Sequence, residues 1–445
     1  MNRAVRTVLF HGLLYKLAIL PKTLCLKPAA IELLSSMPDN KIIIRNKQKL
    51  HMNWISPQTV TGSPAEGLQY LRRPHINKEF WERIANGEHL LICAPRRVGK
   101  SSVMKDLAKS PPEGYLVIYQ NIESDKTQKD FFKRLLVLIL EQMGSRLKLR
   151  ENISLWLRSR TIGELSINGV VAFTKNEIDF KEELLGLIRE IKKTDLHIVI
   201  LLDEFPDVIH SILQNEGKSA AIDTLHTLRS IRHSSSMKQF SFVFAGSIGI
   251  GHVVSMLDRP SLINDLRQIH ISELNRAEGR ALLAALLTDV TMQVGNEETE
   301  YLFSKITYLL PYYIQLMVEK CDQILRAEQQ PKLSIRHIDK AFDRIVREVN
   351  NFDDWEIRLS RYFHSDDSHF CIQMLTRCAH SQRNTLQEAH DLSLLIRPRA
   401  GYKHLLDTVL EREGYLVHKE TRYFFLSPFL QEWWKDRHPA FEIIY

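Results

Sequence analysis

Cysteine is scarce in this sequence, and long apolar runs and disulfide spacings are missing altogether. The five cysteines, Cys25, Cys93, Cys321, Cys371 and Cys378, are odd in number and scattered, the pattern of free thiols in a reducing compartment. Cys371, Cys378 and His380 lie close together. Without a Cys-x-x-Cys pair they read as buried helix residues rather than zinc ligands. No stretch approaches ~18 uncharged apolar residues, so no membrane span is expected. The body of the chain also lacks charge of either sign in excess. The net charge of +7 sits in the first 52 residues, with nine Lys/Arg against two Asp/Glu, and the remainder has 51 of each sign.

That basic segment has three readings. Arg3, Arg6, Lys16, Lys22 and Lys27 among Leu and Val, with no acid before Glu32, suit an organelle transit peptide. A secretory signal fits less well, because Lys16 splits the apolar run from Leu9 to Leu20. The favoured reading starts the protein near Met52, in Met52-Asn53-Trp54-Ile55-Ser56-Pro57. Residues 1–52 then lie outside the fold, and the protein is expected in the cytoplasm.

What is present is concentrated at a few places. Residues 90–102 are an apolar run that breaks into Gly99-Lys100-Ser101-Ser102 and continues with helical periodicity. Such a loop, here Ala94, Pro95, Arg96, Arg97, Val98, Gly99, Lys100, Ser101 and Ser102, turns backbone N–H groups and a helix N-terminus toward a phosphate. Lys100 would reach the β- and γ-phosphates, and the Ser101 hydroxyl would join the shell of a Mg²⁺ ion. The usual pattern G-x-x-x-x-G-K-[ST] has Ala94 in its first position, which narrows the turn. Gly99 is retained.

Ile198-Val199-Ile200-Leu201-Leu202-Asp203-Glu204 is a run of five apolar residues ending in two acids, as in a parallel strand covered on both faces. Carboxylates at its end fall where open α/β sheets bind ligands. Asp203 would hold Mg²⁺ through water or the Ser101 hydroxyl, and Glu204 would polarise the attacking water. A further strand, 240–247, ends in small and polar residues, and its Ser247 is expected near the γ-phosphate.

With these motifs the chain resembles the archaeal-type and related bacterial AAA-like ATPases of the signal-transduction branch of P-loop NTPases. The resembling residues are 95–102, Leu202-Asp203-Glu204-Phe205-Pro206, Ala245-Gly246-Ser247 and Leu310-Pro311-Tyr312-Tyr313-Ile314-Gln315. In the last of these the family has Gly-x-Pro before the aromatic, and this chain keeps Pro311 alone. Tyr70-Leu71-Arg72-Arg73-Pro74 and the helix around Phe80-Trp81 look like the family's segment near the adenine. The resemblance covers roughly residues 65–440. It implies an α/β P-loop sheet sandwiched by helices, then a helical lid and a small winged helix, with ATP and Mg²⁺ as cofactors and Pro311 near the base. The chain has no Asn/Thr-Lys-x-Asp that would read guanine.

Strand and helix alternate from about 65 to 255, giving an expected P-loop domain over 53–272. Asn168-Gly169 between two short apolar runs signals a hairpin within it. A helical lid is expected over 273–350, with helices at 278–287, 297–309, 312–328 and 335–349, the last capped by Ser334. Over 351–445, helices at 370–379, 385–392 and 402–412 and a strand pair at 415–418 and 423–426 suggest a winged helix. Arg397, Arg399 and Lys403 stand near its third helix, which points to DNA. But 12 Lys/Arg against 14 Asp/Glu over 352–445 offer few phosphate contacts. A protein partner, or packing on the ATPase, is the better expectation.

In a homo-oligomer Arg229, Arg232, Arg259 or Arg267 would be the candidates to reach a neighbour's γ-phosphate. The expected function is a Mg-dependent, ATP-hydrolysing switch. A nucleotide sensor with negligible turnover is the alternative; the lid and winged helix disfavour a small-molecule kinase.

Overall fold

The apolar runs near 90, 197 and 240 become neighbouring strands in the computed structural model. It describes residues 53–144, 162–165, 171–173, 178–191, 196–234, 238–246, 249–348, 352–381, 384–396 and 401–443. Strands in chain order are β1 (Leu90–Cys93), β2 (Tyr115–Asn121), β3 (Ile162–Leu165), β4 (Val171–Phe173), β5 (His197–Asp203), β6 (Phe240–Ala245) and β7 (Arg267–His270). Among the described residues, five of them form one sheet in the order β2-β5-β6-β1-β7, all parallel. β5 and β6 are buried almost end to end, which is why their sequences run apolar instead of alternating. The pairing sets Asn121 beside Asp203 and Cys93 beside His270. The carboxyl ends of all five strands therefore open onto one edge, where ligands bind such sheets.

β7 is absent from the sequence reading, which treated Arg267 as a candidate finger. Its four residues bury Ile269 alone, so an edge strand here has no apolar signature. β3 and β4 pair antiparallel, Ile162 with Phe173 and Leu165 with Val171; the expected turn at Asn168-Gly169 lies outside the described residues.

Helices α1 (Pro74–Ala85), α2 (Lys100–Lys109), α3 (Gln128–Gly144), α4 (Phe180–Ile191), α5 (Phe205–Glu216), α6 (Lys218–His233) and α7 (Ile250–Met256) connect and flank the strands. The lid follows as α8 (Arg276–Leu286), α9 (Asn296–Ile306), α10 (Pro311–Glu328) and α11 (Ile335–Arg347). Asn275 opens α8 with a reciprocal cap: its side chain accepts from the Glu278 N–H, and Glu278 accepts from the Asn275 N–H. α9 stops at Ile306, short of 309, because Thr307 takes a positive φ of 64°.

The C-terminal region comprises α12 (Asp353–Tyr362), α13 (Ser365–His380), α14 (Leu386–Leu395) and α15 (Tyr402–Leu405), then a π-helical turn over Leu406–Glu411. β8 (Leu416–Lys419) and β9 (Arg422–Phe425) form an antiparallel ribbon, and α16 (Pro428–Arg437) closes the region. The three expected helices and the ribbon are thus present, with α12 and α16 added. Trp433 and Trp434 are buried, and the Trp434 indole donates to Thr376 Oγ1 at 3.1 Å.

Phe429 of α16 stacks on Tyr313 and Phe342 of the lid, with ring centroids 5.0 and 4.6 Å away. Asn53–Tyr445 accordingly packs as one unit. Arg397 and Arg399 lie outside the described residues. No helix among the described residues is long and apolar enough to cross a membrane.

Candidate functional site

The loop between β1 and α2 is held from several directions. The Arg73 side chain, almost fully buried, donates to the Val98 and Ser272 carbonyls, both at 2.7 Å. It ties the loop to the exit of β7. Arg97 has a positive φ of 67°, a geometry few non-glycine residues adopt, and its guanidinium lies over the Tyr312 ring at 4.3 Å. Lys100 Nζ donates to the carbonyls of Ala94 at 3.0 Å and Pro95 at 3.3 Å. Burial pushes the Lys100 pKa down, against the opposing pull of the Glu204 and Asp203 carboxylates.

Asp203, at the end of β5, has no exposed surface. Its Oδ2 accepts from Ser101 Oγ at 2.5 Å and from the Tyr119 hydroxyl at 3.1 Å. Burial raises its pKa, and the Ser101 hydrogen bond opposes that rise. A carboxylate and a hydroxyl in contact, with one charge and hard oxygen donors, fit Mg²⁺, which keeps several waters and takes few protein ligands. Ser101 and Asp203 are the residues that would hold it.

Glu204 turns the chain from β5 into α5 at φ 58°, a left-handed conformation that carries strain of about 1–3 kcal/mol. Its side chain shares a hydrogen bond with Asp207. Gly246, after β6, faces this corner. A Cβ there would stand 2.4 Å from Pro206 Cδ and 3.5 Å from Glu204 Oε2, so no larger residue fits. Ser247, the next residue, lies outside the described residues.

The C-terminal region rests on the same loop. Arg96 donates to Asp354 Oδ2 at 2.6 Å, lies over the Trp355 ring at 5.0 Å, and its N–H donates to the Glu413 carbonyl at 3.2 Å. Gly414, at φ 87°, packs on Pro95; a Cβ would stand 2.7 Å from the proline Cβ. The Tyr362 hydroxyl donates to Asp207 Oδ1 at 2.6 Å, and Arg358 approaches the same carboxylate at 4.0 Å. Burial, and then the Glu204 charge, push the Asp207 pKa up to about 7, against Arg358. Burial likewise pushes Glu413 up to about 7, against Arg358 and Arg96.

Several of these groups line a cavity of about 330 Å³, within the size range of ligand sites. One end is formed by Val60, Pro64 and Tyr70 with Pro311, Tyr312 and Gln315 of the lid. Gln315 pins that end, accepting from the Val60 N–H at 2.8 Å and donating to the Gln69 carbonyl at 3.1 Å. The other end holds Lys100, Ser101 and Glu204, with Asp354, Arg358 and Arg361 of α12.

Of the residues expected in the site, Arg96, Arg97, Val98, Gly99, Lys100, Ser101, Ser102, Glu204 and Pro311 line this cavity. Ala94 and Pro95 serve it through their carbonyls, and Asp203 through Ser101. Arg232 is held by Asp265 at 2.6 Å and by the Leu262 carbonyl, and Arg229 by Asn264. Arg259 and Arg267 are exposed.

Sequence reasoning placed Arg73 only within the segment near the adenine, and it missed Tyr119, Asp207, Glu413, Arg358 and Arg361. For the last two a signal existed: Asp354, Arg358 and Arg361 recur at one-face helical spacing. Tyr119 and Asp207 act through pairs formed only in space.

Residues 84–254 match the family model of the AAA domain. No curated protein matches the chain in sequence. Among solved structures, the Walker-type ATPase of Pyrococcus abyssi is similar over 83% of this chain and 100% of that chain, at 15% identity and a TM-score of 0.55. That likeness shows the fold. The ORC2 protein of Aeropyrum pernix, solved with ADPNP and ADP, is 15% identical over 86% of this chain and 95% of that chain, with a TM-score of 0.49.

Proposed function

Residues 84–254 are an AAA-type P-loop domain, and on that footing we propose that the protein is a Mg-dependent, ATP-hydrolysing switch whose nucleotide state is read by its C-terminal winged-helix-like region. One observation carries this reading. The Ser101–Asp203 oxygen pair, Lys100 and Glu204 meet at one end of a single cavity, together with a helix of the C-terminal region.

The base and sugar occupy the end formed by Pro311, Tyr312 and Gln315, and the triphosphate runs toward Lys100. Lys100 exchanges its two carbonyl contacts for phosphate oxygens. A Mg²⁺ ion held by Ser101 and Asp203 would supply charge neutralisation for the phosphates. Glu204 takes a proton from water as the water oxygen bonds to the γ-phosphorus. The bond to the β–γ bridging oxygen breaks, leaving ADP and inorganic phosphate. Asp207 holds Glu204 in this arrangement, and the Tyr362 hydroxyl holds Asp207.

The acidic balance of 352–445 supports a protein client over DNA, and self-association is compatible with this function. The test is steady-state ATP hydrolysis by the full chain beside Lys100→Ala and Glu204→Gln. Loss of turnover in both, with tight ATP retention in Glu204→Gln, is expected. Binding by the parent without turnover, unchanged in Glu204→Gln, would turn the reading to a nucleotide sensor.

A further inference from the structure

Hydrolysis of a phosphoanhydride gains from an arginine on the γ-phosphoryl oxygens; of the sheet domain's described arginines that line this cavity, Arg96 is paired with Asp354 and Arg97 lies over the Tyr312 ring. Arg232 and Arg229 are engaged with Asp265 and Asn264, and Arg73 is committed to the loop carbonyls. α12 is placed differently. Its first turn is tied to the phosphate loop through Arg96 and Asp354 at 2.6 Å. Its last residue is tied to the first turn after Glu204 through Tyr362 and Asp207 at 2.6 Å. A helix of ten residues, about 15 Å long, therefore bridges the cavity from the loop to the water-activating carboxylate. The face it turns inward carries Asp354, Arg358 and Arg361, all three of which line the cavity.

The two arginines differ in what holds them. Arg358 is buried between the Asp207 and Glu413 carboxylates. Arg361, one turn on, is exposed and stands beside the Tyr362 phenol, near Asp354 and His210.

We propose that Arg361 of α12 contacts the γ-phosphate of the nucleoside triphosphate in the same chain, so that the C-terminal region completes the site in cis. The inference rests on the ATP reading above. Arg358 sets the helix in place, and Arg361 makes the contact. ADP lacks the group that Arg361 meets, so the helix distinguishes the two nucleotides.

Calorimetric titration of the full chain with Mg²⁺-AMP-PNP and with ADP tests this. Arg361→Ala should weaken AMP-PNP binding on the order of 10- to 100-fold, the worth of one charge-assisted contact. ADP affinity should change by less than about twofold, and Arg361→Lys should recover part of the loss. Equal losses for both nucleotides, or no change for either, would overturn the role of Arg361 alone. If the unmodified chain binds neither nucleotide, the ATP reading fails and this proposal fails with it. Lys100→Ala, which should lose both nucleotides, separates the two cases.

Discussion

At the scale of single residues, the site divides by how local its signals are. Lys100, Ser101, Asp203 and Glu204 were legible because each sits in a short pattern fixed by its own strand end. Arg73, Tyr119 and Asp207 were not, because their roles are pairings across the fold, with Val98, Asp203 and Tyr362. Glu413 is the most consequential of the unforeseen residues. Its carboxyl is pushed by burial from an ordinary value of 4.5 to about 7. The folded state thus binds this proton more tightly than the unfolded chain does. The contribution is intact below pH about 4.5 and is lost as pH rises through 7. Glu413→Gln should therefore be relatively more stable than the parent at pH 8, by an amount on the order of 3 kcal/mol at most. The two should converge near pH 4.5. Urea unfolding at the two pH values measures it, and a constant difference would contradict the burial argument.

Elements were read in proportion to their apolar content. β5 and β6, continuous runs of Ile, Val, Leu and Phe, stand where the sequence placed them, and so do the β8–β9 ribbon and, apart from the early end of α9, the lid helices. β7 escaped because one inward side chain leaves no period to detect. α12 escaped because acids crowd its first turn and arginines its face, so it reads as linker. A tight junction between elements lies between the π-helical turn and β8, where Gly414 meets Pro95. Gly414→Ala adds a methyl at 2.7 Å from the proline in a left-handed backbone. It should cost roughly 2 kcal/mol, seen as a lower urea midpoint with an unchanged slope. A silent substitution there would mean that the junction is loosely packed.

For the whole molecule, the lid and C-terminal region share a core through Phe429, Tyr313 and Phe342. The cavity draws its walls from the sheet domain, the lid and α12. Occupancy by Mg²⁺-AMP-PNP should slow amide exchange at 95–102 and, equally, along Asp353–Tyr362 and at 413–416. Protection confined to the loop would show that the C-terminal region does not register the ligand. The placement of Arg96 has one more consequence, which concerns the order of synthesis. Its partner Asp354 lies 258 residues further along the chain, and Glu413 and Gly414 later still. A nascent chain that has just emerged through β7 already owns every described strand of the sheet, yet its phosphate loop lacks the contacts that Arg96 and Pro95 make. The ribosome must deliver Asp354, Glu413 and Gly414 before these contacts form, so termination between the sheet and Asp354 leaves the loop without them.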